Sequence, residues 1–343
     1  MMQHNGKTGI LLINTGSPNE PTVPATRAFL AEFLSDPYVM DMPAPMRWLL
    51  LNALILPCRP RRSAEVYRRI WTPAGSPLRV GMEKLKTGLQ ARLPEAEIVV
   101  AVRYGCPSIR EGLGALAARG VNRIVVAPLY PQYAAATTGS ALSAVYRHAA
   151  GRWNVPSLSV LPPFYAAPEF VDAWVAVARP LLDAFRPGHV LLSYHGLPER
   201  HIRKGDPSGA HCLKRPDCCD DIGDANRFCY RAQCVATTRA VAERFGWTPD
   251  AYTVCFQSRM ERRTPWLQPA TADTLQQLLD RGVKRVAVLC PSFVVDCLET
   301  IEDIGMTARD HFLARGGEAF EWIPSLNDHP VWLDALAAIL GRL

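Results

Sequence analysis

Eight short apolar runs, interleaved with segments of helical periodicity, constrain the fold of this chain more than any other feature. Each run is continuous rather than alternating, which is typical of strands covered on both faces. Strand–helix alternation of this kind predicts parallel sheets with right-handed crossovers. The predicted strands are Ile10–Asn14, Ile98–Arg103, Ile124–Leu129, Leu158–Leu161, Val190–Ser193, Tyr252–Phe256, Val286–Leu289 and Phe320–Pro324. The predicted helices are Ala25–Leu34, Met82–Leu93, Ser108–Arg119, Pro168–Phe185, Ala232–Phe245, Thr271–Arg281, Thr307–Arg315 and Val331–Leu343.

The two halves of the chain are similar to each other. Leu11–Pro18 (LLINTGSP) is similar to Leu191–Pro198 (LLSYHGLP), and Arg123–Gln132 is similar to Arg285–Phe293. We therefore expect two similar Rossmann-like α/β domains, each a four-stranded parallel sheet flanked by helices, which face one another across a cleft. The expected limits are 1–170 for the first domain, 171–326 for the second, and 327–343 for a final helix that packs back on the first.

Composition narrows the class of protein. The chain has 343 residues, of which 48% are hydrophobic and 20% charged, enough for two ordinary domains and unlike a disordered chain. Its formal net charge of +6 comes without a basic block of the kind found in nucleic-acid-binding arms. This charge favours an anionic small molecule or an acidic membrane surface as partner. The tight turns Thr15–Pro18 and Ala74–Leu78 are neither GxGxxG nor a P-loop, so they give nucleotide binding little support.

The most hydrophobic window, Trp48–Leu56, is too short to span a bilayer. We predict a helix with one face in the core. Its remaining surface is either plain core, the wall of an apolar pocket, or part of a lip (residues 35–60) that touches a membrane. The first residues lack the features of a secretory signal peptide. These patterns predict a cytoplasmic protein, with peripheral contact to the inner membrane as the alternative.

His195 lies where a predicted strand ends and Gly196 and Pro198 begin a loop. Ligands of parallel α/β sheets bind at the carboxyl ends of strands. A histidine there can take a proton or bind a metal near neutral pH. Taken alone, a histidine that only satisfies a backbone carbonyl is the commoner explanation of such a position.

Four carboxylates follow the strand Val286–Leu289: Asp296, Glu299, Glu302 and Asp303. Glu299 and Asp303 are four residues apart and share a helix face. Acids in such a row can relay protons or pass a hard cation, and an ordinary solvated face is the alternative. The similarity of the halves places His195 and Glu299 at corresponding strand ends, which favours a shared site.

Nine motifs along the chain have specific wording. They are LLINTGSP (Leu11–Pro18), LSDPYVMD (Leu34–Asp41), GSPL (Gly75–Leu78), VRYGCPSI (Val102–Ile109), PLYPQYAAATTGS (Pro128–Ser140), LLSYHGLPER (Leu191–Arg200), FQSR (Phe256–Arg259), PWLQP (Pro265–Pro269) and CPSFVVDCLETIEDI (Cys290–Ile304). With them the chain resembles the ferrochelatases of haem biosynthesis from about Thr8 to Leu326, and the proteobacterial, protoporphyrin-using branch in particular. The resemblance implies a chelatase-like fold and a lyase that inserts Fe(II) into protoporphyrin IX to give protohaem.

The resemblance also implies roles for single residues. His195 and Glu299 would be the catalytic pair and would contact the substrate iron, and the line of acids would continue through Asp303. Relatives often carry another acid where this chain has Thr307. Arg59 and Ser76 match positions that contact porphyrin propionates, and Thr15 matches a position on the face opposite His195. Other matched positions form the pocket wall: Arg103, Tyr104, Tyr130, Gln257 and Trp266.

Five of the ten cysteines are concentrated in an insert, Ser208–Cys229, and just after it. They are Cys212, Cys218, Cys219, Cys229 and Cys234. Four thiolates bind zinc or a 2Fe–2S cluster, and this spacing lacks the paired CxxC of zinc ribbons. Similarity to bacterial ferrochelatases with a cluster on an internal segment implies a 2Fe–2S cluster held by four of the five. Because Cys218 and Cys219 are adjacent, we expect only one of them to ligate. Vertebrate relatives use a cysteine in the loop position occupied here by Ala135, together with a tail that this chain lacks.

Two alternatives remain open. The chain could be a chelatase for another metal or tetrapyrrole, namely cobalt, sirohydrochlorin or coproporphyrin, or a porphyrin or haem carrier without catalysis. The expected partners are protoporphyrin IX and Fe(II), with no nucleic acid. The inner membrane or the preceding oxidase is a further expected contact.

Overall fold

The computed structural model describes residues 7–259 and 264–343, which form two compact units. The first unit contains the chain up to Tyr130, together with Ala135–Pro162 and Leu333–Leu343. The second contains Pro131–Ala134 and Pro163–Trp332. In the first unit, Asp334 near the chain end pairs with Arg92 at 2.5 Å. The domain limits expected from the sequence stay a prediction.

The first unit is built on a four-stranded parallel sheet with the order β2-β1-β3-β4. Its strands are β1 (Thr8–Asn14), β2 (Glu97–Val102), β3 (Arg123–Pro128) and β4 (Ser157–Val160). The central strand β1 is buried along almost its whole length. Its apolar residues pack with β2, β3 and two flanking helices, as a strand covered on both faces requires.

The second unit repeats this plan in the order β6-β5-β7-β8, again with every neighbouring pair parallel. Its strands are β5 (His189–His195), β6 (Tyr252–Gln257), β7 (Arg285–Leu289) and β8 (Ala319–Trp322). The register places His195 opposite Gln257 at the carboxyl ends of β5 and β6. All eight strands predicted from the sequence are confirmed, as is the fold class of two similar four-stranded parallel sheets flanked by helices.

Helices cover the sheets on both sides. Within the described residues they are α1 (Val23–Ser35), α2 (Ala44–Leu50), α3 (Leu56–Ile70), α4 (Pro77–Arg92), α5 (Ile109–Ala118), α6 (Ser140–Ala150), α7 (Pro168–Phe185), α8 (Glu199–Lys204), α9 (Tyr230–Phe245), α10 (Thr271–Asp280), α11 (Arg309–Ala314) and α12 (Pro330–Gly341). Three further segments are π-helical: Leu51–Ile55, Ala135–Gly139 and Glu299–Ala308. The eight predicted helices are confirmed, and the π-helical segments are a feature that the sequence did not predict.

The hydrophobic window Trp48–Leu56 runs from α2 through a π-helical turn to the start of α3. Its inner face is buried, because Leu51 and Leu56 pack in a cluster with Phe29 and Leu34. The other face is open: the exposed fractions are 67% for Trp48 and 63% for Leu54. The predicted single core face is confirmed. Within the described residues no helix is both long and apolar enough to cross a membrane.

Candidate active site

His195 is the last residue of β5, and its imidazole is held in one orientation. Nδ1 lies 2.7 Å from the carbonyl oxygen of Gly196, which can only accept, so Nδ1 carries a proton and donates it. In the neutral form of the ring the lone pair is then on Nε2. The backbone N–H of His195 donates to the hydroxyl of Ser292, 3.3 Å away. His195 therefore does satisfy a backbone carbonyl, through Nδ1. Its other ring nitrogen, Nε2, is not used in this bond and can act as a base.

Gly196 is a glycine because a neighbouring backbone comes very close. Its N–H donates to the carbonyl oxygen of Gln257 at 2.8 Å. A Cβ at this position would lie 2.7 Å from the same oxygen and 3.3 Å from the indole of Trp266. The loop after β5 is thus held directly against the end of β6.

Gln257 connects the histidine strand to the helix that carries the acids. Its side-chain oxygen accepts a hydrogen bond from the Ser193 hydroxyl at 2.6 Å. Its side-chain nitrogen donates to the backbone carbonyl of Glu299 at 2.7 Å. The side chain is buried; its bond to Ser193 is fully buried and its bond to Glu299 is partly buried. Gln257 therefore fixes the start of the acidic helix relative to His195, a role more specific than the pocket wall implied by the motif.

Glu299 begins the π-helix Glu299–Ala308. Further along, the carboxylate of Asp303 accepts a hydrogen bond from the Ser258 hydroxyl at 2.5 Å. Burial and the neighbouring carboxylates of Glu299 and Glu302 raise the pKa of Asp303 to about 7, against the effect of Ser258. The structure thus brings Glu299 and Asp303 together, as their spacing predicted.

The π-helix changes which side chains are neighbours. Its backbone bonds link residues five apart, and the hydroxyl of Thr307 donates to the carboxylate of Glu302, five residues earlier, at 2.9 Å. Glu302 is buried. Thr307 is therefore the hydrogen-bond partner of a buried acid.

Asp296, the first acid of the predicted row, has a structural role. One carboxylate oxygen accepts bonds from the Thr300 hydroxyl at 2.9 Å and the Ser325 N–H at 3.0 Å. The other accepts from the side-chain amide of Asn327 at 2.7 Å. These bonds tie the entry of the π-helix to the segment after β8.

A cavity of about 280 Å³ opens beside Asp303 in the second unit. Its polar lining includes Ser258, Asp303, Thr307 and His311, and its floor is apolar, with Phe256 and Leu275. Asp303 thus has an open space on one side in addition to its contacts with the other acids.

In the first unit, Arg103 and Tyr104 belong to a buried polar cluster around Asp36. The Arg103 guanidinium and the Tyr104 hydroxyl bind the same Asp36 oxygen, at 2.5 and 2.9 Å. Ser140 donates to that oxygen as well. Asp36 was not singled out in the sequence, although it lies within the LSDPYVMD motif. Asp36 neutralises Arg103, so the charge of this arginine is already paired within the first unit.

Four more predicted residues lie in the first unit: Thr15, Arg59, Ser76 and Tyr130. The Ser76 hydroxyl caps the amino end of α4 and lies 2.6 Å from the hydroxyl of Ser17. The Thr15 hydroxyl donates to the hydroxyl of Tyr130 at 3.3 Å, and burial raises the pKa of Tyr130. Arg59 lies on the exposed side of α3.

The cysteine-rich insert has neither helix nor strand, and it packs its thiols inward. All five cysteines are buried. The sulfurs of Cys218 and Cys219 lie 3.8 Å apart. The thiol of Cys229 lies near those of Cys212 and Cys219 and influences the pKa of both, so these four thiols are neighbours. The fifth thiol, that of Cys234, lies near Tyr230 and is also influenced by Cys219.

The chemistry of this four-thiol group fits a 2Fe–2S cluster. In such a cluster each iron takes two cysteine sulfurs. The sulfurs of Cys218 and Cys219 are close enough to form one such pair, which differs from the expectation that only one of them ligates, and Cys212 lies near Cys229. Over residues 7–259 and 264–343, no three or more His, Cys, Asp or Glu side chains are grouped as ligands of a metal ion. The cluster therefore remains a matter of proposal.

Comparison with known proteins identifies the family of the chain. The family model described as Ferrochelatase matches residues 7–342. A ferrochelatase of Azotobacter vinelandii is 46% identical over 332 residues, which covers 96% of this chain and 97% of the relative. A ferrochelatase of Pseudomonas aeruginosa is 45% identical and covers 98% of each chain.

Among solved structures, SirB from Bacillus subtilis with Fe3+ is similar in fold, with a TM-score of 0.55 at 14% identity, covering 98% of this chain and 95% of that one. The match of motifs, family model and curated relatives extends over nearly the whole chain. The chain therefore belongs to the ferrochelatase family, the lyases that insert ferrous iron into a porphyrin.

Proposed function

We propose that this chain inserts Fe(II) into protoporphyrin IX to give protohaem, with His195 as the base. The observation that carries the proposal is the orientation of His195, whose Nδ1 proton is committed to Gly196 and whose Nε2 is available. Metal insertion replaces the two pyrrole N–H protons of the macrocycle by one divalent cation. Two protons must therefore leave for every iron that enters, and a neutral imidazole can accept them in turn.

The acids of the π-helix would carry away the protons that leave the macrocycle. Glu299 begins the helix that Gln257 fixes relative to His195. Asp303, with a pKa raised by burial to about 7, can bind and release a proton near neutrality. Glu299 and Asp303 are proposed to pass protons from the porphyrin side toward the cavity beside Asp303. The substrate iron contacts His195 and Glu299 in this proposal.

Residues of the first unit are proposed to bind the porphyrin. Arg59 and Ser76 would hold propionates through charge and a hydroxyl. Thr15 and Tyr130, joined by a hydrogen bond, and Tyr104 would form an apolar wall with a few polar atoms, as cofactor-sized ligands require. Trp266 of the second unit, which packs beside the Gly196 loop, has the same proposed role.

The variant His195→Ala tests the base. We expect its rate of Fe(II) insertion, followed by the absorption change of protoporphyrin, to fall about 100-fold or more, with porphyrin binding retained. His189→Gln, at the other end of the same strand, is the control and should keep the parental rate. A parental rate in His195→Ala would remove His195 from the mechanism. Full porphyrin binding without turnover in the parent chain would instead indicate a carrier.

Substrate choice is tested by direct competition. The parent chain is given Fe(II) or Co(II) with protoporphyrin, coproporphyrin or sirohydrochlorin, and initial rates are compared. We expect Fe(II) with protoporphyrin to give the highest kcat/KM. A higher value for cobalt or for another tetrapyrrole would assign the chain to a different chelatase activity.

We also propose that Cys212, Cys218, Cys219 and Cys229 hold a 2Fe–2S cluster, since their thiols form the four-membered group. When bound, the cluster supplies a one-electron redox centre, and it cross-links a segment that has no secondary structure. The purified chain should then contain iron and sulfide in equal amounts and absorb visible light without porphyrin. Individual Cys→Ser variants of these four should lose both, while Cys234→Ser should keep them. Colourless protein with stoichiometric zinc would contradict the proposal.

We also propose that the protein is cytoplasmic. Its exposed apolar surface, formed by Met46, Trp48, Leu49 and Leu54, would rest on the inner membrane or on the preceding oxidase. Basic residues follow in α3, which suits an anionic headgroup surface. Cosedimentation with anionic vesicles, lost in Trp48→Glu, would support it. No cosedimentation of the parent chain would oppose the membrane contact.

A further inference from the structure

Arg231 lies at the start of α9, immediately after the cysteine-rich insert, and its guanidinium points at sulfur. Its Nη1 is 3.2 Å from the Cys219 sulfur and 3.7 Å from the Cys218 sulfur. Both distances are within the range of N–H donors to sulfur. One cation is thus shared by the two adjacent thiols.

The other arginines of this region are used differently. Arg215 pairs with Asp217 at 2.6 Å, Arg227 with Asp224 at 3.6 Å, and Arg239 with Asp220 at 2.7 Å. Those three partners are exposed carboxylates, and exposed ion pairs contribute little to stability. Among these four arginines, Arg231 differs because its partners are two buried sulfurs. Its charge acts where water screens it least.

The surroundings of these sulfurs carry charge of both signs. Cys229 directly precedes α9, a helix of 16 residues, so the positive end of the helix dipole lies next to the insert. The carboxylate of Asp206 lies beside Cys212, whose backbone N–H donates to it at 2.8 Å. Arg231 is therefore the cation that contacts Cys218 and Cys219 directly.

We propose that Arg231 is a positioning residue for the iron–sulfur cluster, whose guanidinium binds the sulfurs of Cys218 and Cys219 and favours the reduced state of the cluster. The proposal rests on the proposed cluster. Reduction adds one electron and therefore one negative charge to the cluster and its four thiolates. Hydrogen bonds to the sulfurs and nearby positive charge raise the reduction potential, because they stabilise the more negative state.

The test compares Arg231→Gln and Arg231→Lys with the parent chain, and uses Arg239→Gln as control. Arg239 lies on the same helix and binds Asp220 of the same insert, but none of its bonds described here goes to a thiol. Iron and sulfide content, the visible spectrum and the midpoint potential are measured in the absence of porphyrin. We expect Arg231→Gln to reduce the equilibrium constant for reduction about tenfold, a potential about 59 mV lower for one electron. Arg231→Lys should restore part of the shift, and Arg239→Gln should leave the potential unchanged.

Each other outcome is informative. A cluster-containing Arg231→Gln protein with the parental potential would overturn the proposal, as would an equal shift in Arg239→Gln. If Arg231→Gln loses its cluster, retention in Arg231→Lys supports binding through the positive charge. Equal loss in both Arg231 variants and in Arg239→Gln indicates a general structural effect and contradicts it. A parent chain without iron and sulfide would overturn the cluster itself, and the role of Arg231 with it.

Discussion

The side-chain nitrogen of Gln257 lies 2.7 Å from the carbonyl oxygen of Glu299, and Gln257 is also the register partner of His195 in the sheet. One buried amide therefore fixes the distance between the strand that carries the proposed base and the helix that carries the acids. The link runs through the side chain of Gln257.

Replacement of Gln257 by leucine should therefore affect both stability and rate. The change keeps the volume but leaves the Glu299 carbonyl and the Ser193 hydroxyl without this partner, which costs about 1–3 kcal/mol in the free energy of unfolding. The rate of Fe(II) insertion should fall about tenfold or more, since catalytic groups lose their mutual position. Gln90→Leu, whose amide binds backbone carbonyls in the first unit, should lose stability but not rate. Equal rates in both variants would contradict the positioning role.

Substitution of Gly196 by alanine should be costly for a steric reason. The added Cβ would lie 2.7 Å from the carbonyl oxygen of Gln257, and backbone cannot rotate away as a side chain can. We expect a loss of about 1–3 kcal/mol in the free energy of unfolding and a lower insertion rate. Gly223→Ala has open space around it and should be neutral on both measurements. Parental stability in Gly196→Ala would show that the loop can move.

The raised pKa of Asp303 should be visible in the pH dependence of stability. Burial raises this pKa from 3.8 to about 7, so the folded state binds the proton more tightly than the unfolded state does. The contribution of Asp303 to stability is therefore complete below the unfolded pKa and is lost as the pH rises to about 7. Asp303→Asn should increase the free energy of unfolding, relative to the parent chain, progressively across this interval and to a constant difference above it. Denaturant titrations at several pH values measure this, with the exposed Asp310→Asn as control. A difference independent of pH would show that Asp303 does not titrate there.

Thr307 offers a test of the buried acid beside it. Thr307→Val keeps the shape of the side chain and removes its hydrogen bond to Glu302. The expected cost is about 1–3 kcal/mol, because a buried carboxylate loses a donor. Thr87→Val removes an exposed bond between a hydroxyl and a backbone carbonyl on α4; it is the matched control and should cost less. Equal costs would mean that the Glu302 contact contributes nothing beyond an ordinary hydroxyl bond.

The elements that follow from local patterns were predictable. Continuous apolar runs predicted all eight strands, and the turn after β5 predicted where His195 would lie. The pairing of His195 with Glu299, expected from the similarity of the two halves and from the motifs, stays a prediction. Strands and their ends could be predicted because residues that are close together in the sequence determine them.

Other features depend on contacts between distant residues. Asp36 meets Arg103 and Tyr104 across more than sixty positions of sequence, so no local pattern indicates it. The two bonds of Gln257 likewise require the complete sheet. In the insert, the grouping of the thiols could not be derived from spacing, because the segment has no periodic structure that converts spacing into distance. The roles assigned to the porphyrin-binding residues stay predictions.

The π-helix Glu299–Ala308 also has a consequence for how this segment tolerates change over evolution. A π-helical turn contains one more residue per hydrogen-bonded ring than an α-helical turn. Deletion of a single residue here would convert part of the segment to α-helix and rotate everything after it about the helix axis. Thr307 would then no longer face Glu302, although every remaining residue type would be unchanged. The length of this segment is thus under a constraint separate from its composition, and single-residue deletions in it should be rarer than substitutions.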